Sequence, residues 1–440
     1  MQKDTMQESA RARTQCLWVH GRSLWNEADA SLSFDWPGTQ ICFRVRGSPT
    51  EVNMLASIGD DVLAVYANGR WQRKIGPSHG GRERYLLVRD APADCTIRMV
   101  KLSEPNMSNP ITIYDVWTGL YSLQDGVAPS ICPLDISGDR PDAESTFECV
   151  GDSDTSALYN VAISDSATAL DSNIEEGWPF FLAESLGVAP PMVVALSGVG
   201  VHAGPHRPES LSSYYQRLVC CWRHSQDSAP RVDTSEGSST GGPLCVLVFV
   251  GGNDFVTMPR DSPSAQSLFM KDFVSAHQAL LSVIRHRRPN SAIVSLYGDA
   301  DSCSGCQSVA EQRFISANMQ EAIIRSVAGL GGAQFGFFSC LVQPNIRLQC
   351  PSDWSHDMHW GPTGHQKFAT GLKEALLALA LREGAGCKGE QPFPGMAALA
   401  TMLSDAGAAA GRASEGVTSS AIRGSPAAVQ EWLQGQDDLV

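Results

Sequence analysis

The chain has 440 residues, of which 43% are hydrophobic, and its formal net charge is −14. A field of this sign repels phosphate backbones, so the composition argues against a nucleic-acid partner and favours a neutral substrate. No run approaches the ~18 uninterrupted apolar residues of a transmembrane helix. The segment 1–15 has no apolar signal core, so the sequence as written predicts a cytoplasmic protein, and an incomplete N-terminus would instead allow a secreted one.

Residues 1–24 are polar and irregular, which predicts a flexible N-terminal tail. In residues 25–128, short runs such as TQICFRVRG alternate apolar with polar positions and are separated by turn signals. One of these signals is Asn68-Gly69, which predicts a tight hairpin. Together the runs predict a small all-β sandwich or jelly roll. The Pro, Gly and Asp-rich stretch at 133–145 predicts the end of that domain.

The pattern changes in residues 145–385, where short continuous apolar runs are typical of strands that are buried on both faces. The clearest of these runs are 191–197, 245–250 and 291–298. Because helical patterns alternate with them, the region predicts an α/β domain with a parallel sheet. Residues 386–440 are rich in Ala, Gly and Ser, which predicts a low-complexity tail that carries a short helix near Ser425.

Three predicted strands are each followed by a residue that acyl transfer needs. Ser153 follows STFECV in the tripeptide Gly-Asp-Ser, Gly198 follows PMVVALS, and Asn253 follows CVLVFV. In an open parallel sheet the carboxyl ends of the strands share one edge, so we expect these loops to meet. A serine hydroxyl needs a histidine to accept its proton, and backbone N–H groups with an asparagine amide can stabilise an oxyanion.

The order of these parts resembles the SGNH (GDSL-type) hydrolases. Gly-Asp-Ser comes first, then a glycine, then Gly-x-Asn-Asp at 251–254, then a histidine in DWSHDMHWGPTGHQKFA. The RMVKLSEP end of the β-rich region and the SGVG segment are similar to the second carbohydrate-esterase family. That resemblance implies a small jelly roll followed by a three-layer α/β domain of the SGNH type, and an enzyme that removes acetyl groups from polysaccharides.

The resemblance also implies roles for residues at matching positions. Ser153 would be the nucleophile, and it would form the oxyanion hole together with Gly198 and Asn253. His359 would be the base, because its spacing into the last predicted helix matches the family pattern. Asp357 would be the acid that orients His359.

The segment around the base departs from the family pattern in two ways. The residue three positions before His359 is His356 rather than an aspartate, and Trp360 stands where a proline is usual. Three arrangements therefore stay open: Asp357 is the acid, Asp353 is the acid with His356 as the base, or the acid is absent.

Four further residues are expected to contact the substrate because they flank the predicted site: Asp152, Gly200, Asp254 and Trp360. Tryptophan suits the flat face of a sugar, and packing in the protein core is an equal alternative for Trp360.

We expect neither a metal nor a cofactor. His356, His359 and His365 do not have the helical His-x-x-x-His spacing, and His365 is interpreted as a structural residue at a helix start. The segment from Gly198 to Gly200 lacks the remaining features of a dinucleotide loop, and no P-loop motif occurs.

The leading hypothesis is therefore a metal-independent serine esterase that acts on O-acetyl groups of a carbohydrate. Two alternatives remain: a lipase-like or other acyl-ester hydrolase of the SGNH type, and a catalytically inactive glycan-binding protein that uses its jelly roll.

Overall fold

The computed structural model of the protein describes residues 16–78, 81–105, 108–119, 130–133, 146–162, 167–202, 207–220, 242–298, 309–342, 353–355, 359–384 and 393–414. Within these ranges, no helix combines the length and the apolar character that crossing a lipid bilayer requires.

The first part of the chain is an antiparallel β-sandwich, as its alternating pattern predicted. Its strands are β1 (Trp18–His20), β2 (Ser23–Asn26), β3 (Ser31–Phe34), β4 (Gln40–Arg46), β5 (Glu51–Ser57), β6 (Leu63–Ala67), β7 (Arg70–Ile75), β8 (Glu83–Arg89), β9 (Cys95–Lys101), β10 (Ile111–Thr118) and β11 (Ser130–Cys132). Among the described residues they form two sheets. One has the order β1-β4-β9-β6-β7 with β11 beside β4, and the other has the order β2-β3-β10-β5-β8.

The core of the sandwich follows from the two-residue period of its strands. Ile41, Phe43 and Val45 on β4 face Val52 and Met54 on β5, and all five side chains are fully buried in one cluster. Each side chain of this size contributes about 1.5–3 kcal/mol when it is removed from water. The alternating residues between them point to the other side of each sheet.

The predicted hairpin at Asn68-Gly69 is confirmed. It joins β6 to β7, and both residues have positive φ angles, +49° and +74°. A two-residue hairpin turn of this hand requires positive φ at both central positions, and asparagine and glycine tolerate it best.

The second part of the chain is built on a parallel sheet, which confirms the predicted α/β class. Its strands are β12 (Phe147–Gly151), β13 (Met192–Ala195), β14 (Cys245–Phe249), β15 (Ala292–Gly298) and β16 (Phe337–Val342), in the order β13-β12-β14-β15-β16. The helices are α1 (Ser153–Ser156), α2 (Trp178–Leu186), α3 (Leu211–Tyr215), α4 (Gly252–Val256), α5 (Pro263–Arg287), α6 (Val309–Gly329), α7 (Pro362–Gly384) and α8 (Pro394–Ser414).

Helices cover both faces of this sheet, so the region has three layers. On one face, Val246 and Val248 of β14 pack in a cluster with α5 and α6. On the other face, Phe249 of the same strand contacts the rings of Trp178 on α2 and Phe368 on α7. Adjacent side chains of β14 thus point to opposite layers, which is why its sequence is apolar at every position.

The three strands that precede the predicted site residues end at paired positions of the sheet. In the parallel ladders, Gly151 at the end of β12 lies opposite Ala195 of β13 and Phe249 of β14. The loops that follow these three strands therefore leave the same edge of the sheet.

The structure corrects both predicted tails. Within the predicted flexible segment 1–24, β1 and the start of β2 are ordered strands, because Leu17 and Val19 pack against the sandwich core. Within 386–440, α8 begins at Pro394, and its Met396 is fully buried. The helix predicted near Ser425 and most of the predicted boundary at 133–145 lie outside the described residues.

By their contacts, the residues up to Ala400 form one compact unit, which contains the sandwich and the parallel sheet. The second unit is Thr401–Val440, and its described residues are the last turns of α8.

A buried charge cluster joins the sandwich to the parallel sheet. Arg22, between β1 and β2, pairs with Glu148 of β12 at 2.7 Å, and Arg288 pairs with the other carboxylate oxygen at 2.7 Å. The Tyr215 hydroxyl also donates to that carboxylate, at 3.2 Å. Burial by itself would raise the pKa of Glu148, but Arg288 and Arg22 outweigh it and lower the pKa to about 2.

We expect Glu148→Gln to lower the free energy of unfolding by about 3–5 kcal/mol, because the buried Arg22 and the partly buried Arg288 would lack a full countercharge. The folded-state pKa lies below the ordinary value of 4.5, so the stabilisation from Glu148 is present above that value and is lost as the pH falls toward 2. Urea unfolding between about pH 5 and pH 3 should show the wild type losing stability faster than the variant.

A matched control is Glu321→Gln, which removes an exposed carboxylate that pairs with Arg325 one turn along α6. This change should cost no more than about 1 kcal/mol. Equal destabilisation by the two variants at neutral pH would show that the buried cluster does not hold the two parts of the chain together.

Candidate active site

Ser153 stands at a sharp turn from strand to helix. β12 ends at Gly151, and α1 begins at Ser153, which is half-buried. A Cβ atom on Gly151 would lie 2.1 Å from the Thr155 hydroxyl and 2.4 Å from the Phe249 carbonyl oxygen, so the turn has room only for glycine. The turn thereby places Ser153 at the edge of the sheet.

The side-chain amide of Asn253 ties the three predicted loops together. Its Nδ2 donates to a carboxylate oxygen of Asp152 at 3.3 Å and to the carbonyl of Val199 at 3.0 Å. Asp152 precedes the serine, and Val199 follows Gly198. Burial, together with the neighbouring acidic groups Asp154 and Asp254, raises the pKa of Asp152 well above its usual range. The predicted meeting of these loops is therefore observed.

Gly200 and Asp254, which were expected to contact the substrate, hold the loop that follows β13. The Asp254 carboxylate accepts hydrogen bonds from the backbone N–H groups of Val201 and His202, both at 3.0 Å. A Cβ atom on Gly200 would lie 2.6 Å from that carboxylate, so glycine is needed for the close approach. The carboxylate also contacts His202 Nδ1 at 3.3 Å, and this hydrogen bond raises the pKa of His202.

The segment that carries His359 lies beside the turn that follows α1. The Ser355 hydroxyl donates to the carbonyl of Tyr159 at 2.5 Å and to that of Ala162 at 3.2 Å. The Ser355 N–H donates to the His359 carbonyl at 2.8 Å, and the imidazole meets the Tyr159 ring edge-on at 6.2 Å. These contacts hold the imidazole near the loop of Ser153.

Asp154, the residue after Ser153, interacts electrostatically with His359, and the sequence analysis did not select it. Burial raises the pKa of Asp154, whereas nearby His359 and a hydrogen bond from the Trp360 N–H lower it. An acidic residue after Gly-Asp-Ser is visible in the sequence, but nothing local indicates that it meets a histidine about two hundred residues later.

Trp360 packs mainly in the protein core. Its side chain is 9% exposed, and its ring stacks on Phe249 at 5.8 Å and tilts against Phe368 at 4.8 Å. His365 is buried at the start of α7, edge-on to Trp360, as predicted for a structural residue. Burial lowers the pKa of His365 to about 3.

The Asp353 carboxylate is paired with a lysine, which bears on whether Asp353 is the acid of the predicted catalytic triad. Its carboxylate pairs with Lys367 of α7 at 2.7 Å. Its carbonyl accepts from the Gly361 N–H at 2.9 Å and would lie 2.4 Å from a Cβ on Gly364. Asp357 and His356 lie outside the described residues, so Asp357 as the acid stays a prediction.

Glu104 is a second acidic residue that the sequence reasoning did not select. It follows β9, and its carboxylate accepts a hydrogen bond from the Ser197 N–H at 2.9 Å. Burial raises its pKa, opposed by the Ser197 N–H and by the charges of Arg207, Lys101 and His359. The segment RMVKLSEP contains Glu104, but its letters give no indication of a contact with a loop of the other domain.

No group of three or more His, Cys, Asp or Glu residues that could hold a metal ion occurs in the described part of the chain.

Comparisons with known proteins bear on the fold of the chain. Residues 19–116 match the family model described as carbohydrate esterase 2 N-terminal. A family two carbohydrate esterase from Clostridium thermocellum, solved in complex with cellohexaose, is 18% identical, with a TM-score of 0.62 over 81% of this chain and 96% of that chain. An acetyl xylan esterase from Butyrivibrio proteoclasticus is 16% identical, with a TM-score of 0.61 over 81% and 94%.

A salicylyl-acyltransferase from a tetracycline biosynthetic pathway is also similar, at 14% identity and a TM-score of 0.50 over 83% of this chain and 96% of that chain. No curated protein sequence matches the chain significantly. The resemblance predicted from the motifs is thus confirmed: the β-sandwich matches the family model of the carbohydrate esterase 2 N-terminal domain, and the chain has the fold of the family two carbohydrate esterases.

Proposed function

We propose that this protein is a serine esterase that removes O-acetyl groups from a carbohydrate, with Ser153 as nucleophile and His359 as base. The observation that carries the proposal is the pair of hydrogen bonds from Asn253, which brings the loops of Ser153 and Gly198 to one place. The position of His359 beside Tyr159 supports it, because it adds an imidazole at the same edge.

In the proposed reaction, the Ser153 hydroxyl attacks the acetyl carbonyl carbon while His359 accepts its proton. The resulting oxyanion is stabilised by the backbone N–H groups of Ser153 and Gly198 and by the Asn253 amide. The tetrahedral intermediate expels the sugar oxygen, which takes the proton from His359. Water then attacks the acetyl-serine in the same way, and acetate leaves.

The Asn253 amide can take part without losing both of its present contacts. The 3.0 Å bond to Val199 fixes the amide, and the longer 3.3 Å bond to Asp152 is the one that a substrate oxyanion would replace. We assign Gly200 and Asp254 to holding the loop and Trp360 to the core, and we retain Asp152 as a residue at the substrate.

Two acidic residues lie near His359. Asp154 and Glu104 both interact electrostatically with His359. We propose Asp357 as the residue that orients the ring. An acetylated, otherwise neutral sugar suits this acidic site, because a charged carboxylate ester would be repelled.

Ser153→Ala should lower the rate of acetate release from an acetylated oligosaccharide by at least about a thousandfold, because the variant has no alcohol to acylate. The matched control is Ser282→Ala on the exposed face of α5, whose hydroxyl donates to the Gln278 carbonyl of its own helix. Acetate release is measured directly and folding by circular dichroism. A folded Ser153→Ala variant with wild-type activity would refute the proposed function.

The rate should fall as the solution is acidified, because a protonated imidazole cannot accept the serine proton. Measuring kcat/KM against pH, with circular dichroism at each point, separates this effect from unfolding. A flat profile down to about pH 4 in the folded enzyme would contradict the role of His359 as base.

The enzyme should prefer short acyl groups. We expect kcat/KM for p-nitrophenyl acetate to exceed that for a long-chain p-nitrophenyl ester by at least about tenfold. A preference for the long chain would instead support a lipase-like enzyme. Turnover of neither ester, together with measurable binding of a glycan, would support the inactive glycan-binding alternative.

A further inference from the structure

Lys101, a fully buried lysine at the end of β9, fixes the direction of the chain that follows this strand. The ammonium group of Lys101 pairs with Asp61 at 2.5 Å. It also donates to the carbonyl of Ser103 at 3.0 Å and to that of Glu104 at 2.8 Å. A buried ammonium with its hydrogen bonds satisfied allows little movement of the backbone that it holds. The backbone of Glu104 therefore leaves the sandwich in a defined direction.

The side chain of Glu104 crosses to the parallel-sheet part of the chain and meets Ser197. One carboxylate oxygen accepts from the Ser197 N–H at 2.9 Å. On the other side of the same residue, Arg207 Nε donates to the Ser197 carbonyl at 2.7 Å. Glu104 and Arg207 also attract each other electrostatically. Both backbone groups of Ser197 are thus held by side chains of opposite charge.

This clamp controls the direction of the next N–H group. The Ser197 carbonyl and the Gly198 N–H belong to one planar trans peptide, in which they point in opposite directions. A hydrogen bond that fixes the carbonyl therefore fixes the N–H as well. This restraint matters at Gly198, which has a φ angle of +72°. Glycine by itself gives the backbone little resistance to rotation, so the direction of its N–H has to be fixed by other contacts.

We propose that Glu104 and Arg207 are positioning residues, which aim the Gly198 N–H at the oxyanion of the reaction. The β-sandwich then supplies part of the catalytic geometry through Glu104. This inference rests on the proposed function, because the Gly198 N–H matters only if an oxyanion forms beside Ser153. Neither side chain needs to touch the substrate.

The test compares Arg207→Ala, Glu104→Ala and Glu104→Gln in the full chain, with p-nitrophenyl acetate as substrate. Arg207→Ala and Glu104→Ala should lower kcat by about tenfold to a hundredfold, because a misaimed donor stabilises the transition state less. KM should change by less than about threefold, since the donor acts mainly in the transition state. Glu104→Gln should recover most of kcat, because its amide oxygen can still accept from Ser197.

The matched control is Glu175→Gln. Glu175 also joins the two parts of the chain, but through Arg98 at 3.0 Å and the Tyr66 hydroxyl rather than through Ser197. It should leave kcat unchanged and affect only the melting temperature. Equal losses of kcat in Glu175→Gln and Glu104→Ala would show that Glu104 acts merely by joining the two parts, which overturns the proposal.

Amide hydrogen exchange separates failure of this inference from failure of the proposed function. The Ser197 amide should exchange faster in Glu104→Ala than in the wild type or Glu104→Gln, whether or not the protein hydrolyses esters. Unchanged exchange, or wild-type kcat in both alanine variants while Ser153→Ala is inactive, overturns the clamp and leaves the esterase intact. A wild-type protein without esterase activity overturns the proposed function, and the catalytic role of the clamp fails with it.

Discussion

The two hydrogen bonds donated by Asn253 Nδ2 are the constraint on which the site depends. They join Asp152, from the loop after β12, to Val199, from the loop after β13, and Asn253 itself follows β14. The level ends of the three strands bring these loops to one edge, but a shared edge leaves many arrangements open. A single amide with two donor hydrogens selects one of them, because both acceptors must lie within its reach.

The β-sandwich is attached to both ends of the parallel sheet. Near the amino end, Arg22 of the sandwich pairs with Glu148 of β12. At the carboxyl end, Glu104 bonds to the Ser197 N–H. A buried ion pair such as Arg22–Glu148 contributes little net stability, since desolvation offsets much of its attraction, but it penalises any arrangement that leaves one partner alone. The two attachments thereby fix the position of the sandwich relative to the loops of the site.

Each part of the prediction succeeded or failed according to the distance over which its cause acts. Asn68-Gly69 forms the expected hairpin because two adjacent backbones decide it. The loops of Ser153 and Asn253 meet because strand order in a parallel sheet follows from alternating strands and helices. For Trp360 the sequence left substrate contact and core packing as equal alternatives, because its ring stacks on Phe249, more than one hundred residues away, and no local pattern contains that contact.

The sequence by itself determined the class of each domain and the order of the candidate site residues, because hydrophobic period, turn residues and motif spacing are local properties of a chain. Only the tertiary structure decided which acidic groups surround His359 and which side chains hold Ser197. Asp154, Glu104 and Arg207 acquire these roles from contacts between distant segments, and such contacts exist only after the apolar layers have packed and brought the charges together.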